Sequence, residues 1–153
     1  MNLKKIEIFS TSVRKIFIVS MLVSLFCADA AFAGLPPIEE SQAFHKYKKR
    51  IKTELSRLIY LLDRFNMSDV EIKIDGNTYR SELAFPFAKA FLAVYYKKEK
   101  AEHWIQKHCY RSPFTNEIML GCVKDEKCIP GRDLLLNELE ILRQTELKIN
   151  AQR

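Results

Sequence analysis

The stretch that decides the fold is Asp69-Val-Glu-Ile-Lys-Ile-Asp-Gly-Asn-Thr-Tyr79. Val70, Ile72 and Ile74 alternate with Glu71 and Lys73, the two-residue period of a strand with one apolar and one wet face. Asp75-Gly76 follows at once. Tight hairpin turns need positive φ at their centre, which glycine adopts without a steric penalty, so this pair is a strong turn signal. Asn77-Thr-Tyr79 is then the short return strand. Such a ribbon is marginal by itself, and its apolar face calls for a helix or another strand to lie against it.

The flanking segments supply helices. On the N-terminal side Phe44, Tyr47, Ile51, Leu55, Leu58, Leu62 and Phe65 recur every three or four residues. That is one face of a long amphipathic helix. Lys46, Lys48, Lys49, Arg50 and Lys52 lie mostly off the stripe, which suits a core-facing helix with a solvated back; a basic membrane-surface helix is the rival reading. On the C-terminal side, Ser81 and Glu82 introduce the apolar run Leu83–Tyr96. Pro86 fits best in a first helical turn, where its missing N–H is not needed, so this helix is expected to start near Phe85 and to occupy the centre of the fold. Ala101–Lys107 forms another helix with Trp104 and Ile105 inward. Ser112–Asn116 is a loop, Ile118–Val123 a third strand, and Asp133 a cap for a last helix over Leu134–Leu147. The sum is one α+β domain over 41–150: a small helical domain with a β-hairpin, a short third strand completing a small antiparallel sheet, and a C-terminal helix.

The N-terminus bears on compartment. Lys4, Lys5, Arg14 and Lys15 precede the apolar run Ile16–Phe26, and Ala31-Phe-Ala33 ends it with small residues at the spacing of a signal-peptide cleavage site. The run is too short for a bilayer span, which takes about 20 apolar residues. Residues 1–33 are therefore expected to be a cleaved secretory signal, and 34–40, GLPPIEE, a tether. Cys27 raises a lipoprotein alternative, disfavoured because bulky Phe26 stands where that processing wants a small residue. Removing 33 of the 153 residues leaves 120, the size of one domain, with 21 Lys and Arg against 17 Asp and Glu. A net charge of +4 in an exported chain gives little reason to expect nucleic acid, and no stable membrane span remains after cleavage.

Ile74-Asp-Gly-Asn-Thr-Tyr79, the alanine-bearing helix after it, Lys100-Ala-Glu-His-Trp-Ile105 and Ser112…Thr115 together resemble the YfeK-like family, small exported bacterial proteins of unknown function. The family pattern is NG-x-x-Y, A-E-x-F-I and S-x-x-T/S-G at comparable spacings. Here Asp75 replaces Asn, Trp104 replaces Phe and Asn116 replaces Gly. The resemblance spans about Leu55 to Leu142. It implies export and this order of elements, and it transfers no catalytic residues.

Chemistry would have to come from Cys109, Cys122 and Cys128, which lie within 20 positions, with His103 and His108 nearby. Structural zinc sites use close ligand pairs such as C-x2-4-C; these cysteines are separated by 12 and 5 residues, and the two histidines lie about 140° apart on a helix. A thiol enzyme or redox factor pairing Cys109 with His103 or His108 would need spatial approach, an orienting group and a lowered thiol pKa. In an oxidising compartment the plainer expectation is a disulfide, Cys122–Cys128 first, leaving Cys109 as the odd free thiol; bonds from Cys109 to either remain open. No catalytic set, metal site or cofactor motif is expected. The function this leaves is a periplasmic or secreted, non-enzymatic module for an unknown protein or envelope component; oligomeric state is not legible.

Overall fold

The computed structural model describes residues 35–123 and 127–152. The expected signal segment 1–33, with Cys27, lies outside them. Among the described residues, five α-helices and four strands follow one another as α1 (Gln42–Lys48), α2 (Glu54–Asn66), β1 (Val70–Ile74), β2 (Asn77–Arg80), α3 (Ser81–Tyr95), α4 (Ala101–His108), β3 (Leu120–Val123), β4 (Ile129–Pro130) and α5 (Gly131–Ala151). The class is α+β, as the alternation and helical periods predict. The sheet is antiparallel throughout, in the order β2-β1-β3-β4.

The hairpin forms where the sequence places it. Ile74 pairs with Asn77, and Asp75 and Gly76 both take left-handed φ values, 52° and 71°. That is the geometry a two-residue turn needs to follow the strands' right-handed twist. β1 is a central strand, with β3 on its other side in the register Val70 to Val123. Gly121 sets how closely the last helix lies on this sheet. A Cβ there would come within 2.5 Å of Leu134 Cδ2, so α5 crosses β3 where there is no side chain.

Four expectations need correction. The long N-terminal helix is two helices, broken at 49–53. Thr53 stops and restarts the chain with a reciprocal cap: its hydroxyl accepts from Ser56 N–H at 3.1 Å while Ser56 Oγ accepts from Thr53 N–H at 2.9 Å. Ile51, counted on the apolar stripe, sits in the break at 85% exposure. Lys52 tucks the break back, donating to Tyr47 O at 2.8 Å with its ammonium 3.5 Å from the Tyr47 ring centre. Second, the tether is partly packed: Ile38–Glu40 is a 3-10 turn, Ile38 is buried, and Pro36 O accepts from the Arg64 guanidinium. Third, the last helix starts at Gly131, so Asp133 sits within its first turn rather than capping it, and Ile129–Pro130 adds a fourth strand.

The fourth correction concerns α3. It starts at Ser81, four residues before the expected point, and carries Pro86 inside. It is not the centre of the fold, since only Ser81 and Leu92 are buried. The centre is Phe44, Tyr47, Tyr60, Leu61, Ile105, Leu139 and Leu142, gathered from α1, α2, α4 and α5.

Two polar ties cross this core between α2 and α5. Arg64 and Glu138 are both almost fully buried; Arg64 Nε donates to Glu138 Oε1 at 2.9 Å, and Tyr60 OH donates to the same oxygen at 2.7 Å. Toward the C-terminus of α5, Glu146 accepts from Tyr47 OH at 2.7 Å and Arg57 at 3.0 Å. Removing one partner of a buried ion pair strands the other charge. Glu138→Ala is therefore expected to lower unfolding stability by about 3–5 kcal/mol. Arg64→Met with Glu138→Leu, which leaves no stranded charge, should recover most of it. Equilibrium urea denaturation measures both. Ile51→Ser in the exposed break should stay within about 0.5 kcal/mol.

Candidate functional site

Cys122 and Cys128 are joined, with sulfurs 2.09 Å apart. The bond ties the end of β3 to the residue before β4, bracing the approach to α5. An open groove of about 520 Å³ runs beside it, lined by side chains of both signs, Glu71 and Glu82 against Lys73 and Arg80. Cys109 is free. It is the C-cap of α4. Burial pushes its thiol up to about 12, so almost no thiolate exists at neutral pH. That is the opposite of what a nucleophile or redox cysteine requires.

The two histidines do not join it. His103 is largely solvent-facing and its Nδ1 lies 2.7 Å from Oε2 of Glu99, four residues back and just ahead of α4. His108 instead closes an aromatic cluster, its ring centre 5.1 Å from Trp104, 5.6 Å from Phe91 and 6.0 Å from Tyr95. Burial first, then the neighbouring Lys107, lowers its pKa, with Glu99 opposing. Trp104 Nε1 and His108 Nε2 are buried without a hydrogen-bond partner among the described residues. No group of three His, Cys, Asp or Glu able to hold a metal occurs among those residues.

The motif residues behind the family resemblance do meet. The loop after α4 folds back so that Thr115 Oγ1 donates to the Asp75 carboxylate at the hairpin turn. Ser112 is buried and its hydroxyl accepts from Phe114 N–H at 3.1 Å and Thr115 N–H at 3.4 Å. Two departures from the family pattern fall at left-handed residues, Asp75 at φ 52° and Asn116 at φ 62°. Asn, Asp and Gly are the residues that accept this conformation, so Asp for Asn and Asn for Gly keep the same backbone. Trp104, at the position where that pattern has Phe, is buried. The cluster is a brace between turn and loop, with no group poised for reaction.

The feature sequence reasoning missed is the outer face of α3. Leu83, Phe87, Ala90 and Val94 fall within about 60° of one another around the helix. Leu83 is 64% exposed, Phe87 78% and Val94 71%. Pro86 and Ala93, also exposed, widen the sector. Leu92, on the opposite side, is the buried contact. An apolar helix stripe facing water is a departure from the ordinary rule that such stripes face a core. Lys89, the lone basic residue between Glu82 and Lys97, was the available clue. Comparison with protein-family models, curated proteins and solved structures finds no match to this chain.

Two measurements check this site. Thiol titration without reductant should find Cys109 slow in the native protein and fully reactive once unfolded; rapid modification at neutral pH would contradict the buried thiol. For His108 the folded pKa lies below the unfolded value of about 6.5. The unfolded chain therefore takes up that proton first, and the histidine's contribution to stability, present above that value, is lost as pH falls through it toward the lower folded value. Urea midpoints across this range should fall less steeply in His108→Gln; an unchanged slope would assign the acid loss to carboxylates.

Proposed function

We propose that this chain is an exported, non-enzymatic domain that binds a protein or envelope component through the outer face of α3. The observation that carries it is the row Leu83, Phe87, Ala90 and Val94, presented to solvent on a helix anchored from behind by Ser81 and Leu92. Ser81 Oγ donates to Ser68 O at 3.1 Å, which fixes the start of the helix. Burying one large apolar side chain from water is worth about 1.5–3 kcal/mol, so three of them make a useful binding surface.

Export is supported by the basic–apolar–AFA pattern ahead of Gly34 and agrees with a Cys122–Cys128 disulfide, a bond that persists in oxidising compartments. Membership of the YfeK-like family is part of the same reading and rests on the motifs and on the brace they form. The thiol-enzyme alternative meets a half-buried Cys109 whose thiol pKa is raised, and two histidines engaged elsewhere.

Intact-mass measurement of the chain recovered from cells should place Gly34 first; retention of Met1 would overturn export. For the binding face, a photoreactive residue at Phe87 should give adducts that Leu83→Asp suppresses. Equal labelling from a control probe at exposed Ile51, or none from Phe87, would overturn the assignment.

A further inference from the structure

The occupant of the α3 face can be narrowed by charge. Cations lie around the ends and side of the helix: Arg80 precedes it, Lys89 is exposed about 130° round from the row, and Lys97, Lys98 and Lys100 follow its end. All five are exposed, and none pairs with a carboxylate among the described residues. Against them stand Glu71, directly across the hairpin from Arg80, Glu82 at the first turn, and Glu99, which is engaged by His103. Lys98 is held at φ 59°, a left-handed turn that gathers the basic residues just beyond the helix. Positive charge is therefore in excess just beyond the C-terminal end of the helix, where Lys97, Lys98 and Lys100 stand, while the row itself carries no charge.

Length decides the mode of contact. Fifteen residues rise about 22 Å, short of the roughly 30 Å hydrocarbon thickness, and no described helix is long and apolar enough to cross a membrane. A Phe- and Leu-bearing face with lysines alongside is instead the composition of a helix that lies in the headgroup region.

We propose that α3 docks on the surface of an anionic phospholipid bilayer, its apolar row inserted among the acyl-chain ends and its lysine rim on the lipid phosphates. This rests on the α3 face being the binding surface, and it names what that surface binds. The test is co-sedimentation of the full chain with vesicles of phosphatidylglycerol and phosphatidylcholine, against phosphatidylcholine alone. Binding is expected only with the anionic lipid and should weaken steeply as salt is raised, because rim charges are screened. Phe87→Asp should weaken it tenfold or more. Lys97→Gln and Lys98→Gln should each cost roughly fivefold. All three positions are on the exposed face, and far-UV circular dichroism checks that each variant keeps the fold. No binding to anionic vesicles at low salt overturns the proposal. So does binding that survives Phe87→Asp, which would place the contact elsewhere. Concentration-dependent self-association abolished by Phe87→Asp, without vesicle binding, would give the face to a second copy. Probe adducts from Phe87 to a protein, again without vesicle binding, would leave the binding face standing and remove the bilayer.

Discussion

The Arg64–Glu138 ion pair is the constraint on which the architecture depends. Its members come from α2 and α5, 74 positions apart, and both are taken almost entirely out of water. Two such charges can be buried only if they meet with good geometry and their remaining polar atoms find partners. Tyr60 OH and Pro36 O supply those partners. The pair therefore fixes the side of α5 that faces α2, and it draws the chain ahead of α1 onto the same surface. The Glu146 tie to Tyr47 and Arg57 repeats the arrangement nearer the end of α5 and brings α1 into it. Glu54 extends it to α4, accepting from Ala101 N–H at 2.8 Å.

Once these four helices enclose a common core, α3 has little core left to join. It follows directly from β2 and is pinned at Ser81 and Leu92, so its remaining surface turns outward. The exposed row is a consequence of where the polar ties put the core. The disulfide ties the end of β3 to the start of β4, so that α5 meets the sheet at Gly121.

The legibility of these features follows from how local their causes are. The hairpin could be read because strand alternation and the Asp75-Gly76 turn lie within eleven residues. The Cys122–Cys128 bond could be favoured because its ends are six apart. The break between α1 and α2 was hidden, since two short helices packed on one core produce the same apolar spacing as one long helix; only the Thr53–Ser56 cap distinguishes them, and serine at its third position is a weak signal. The outward face of α3 was hidden for a different reason. A helix apolar nearly all round has no phase to say which side is covered, and the residues that cover the core instead, Arg64 and Glu138, look like ordinary surface charges in the sequence.

Both borders of the sheet are short and chemically blunt. β2 is four residues long and ends in Arg80, and β4 is two residues ending in Pro130, which has no N–H to offer. A free strand border is the usual template by which proteins zip into fibrils or accept a peptide as an added strand. Here neither border offers enough ladder to copy. Molecules crowded side by side can therefore stay apart as individuals.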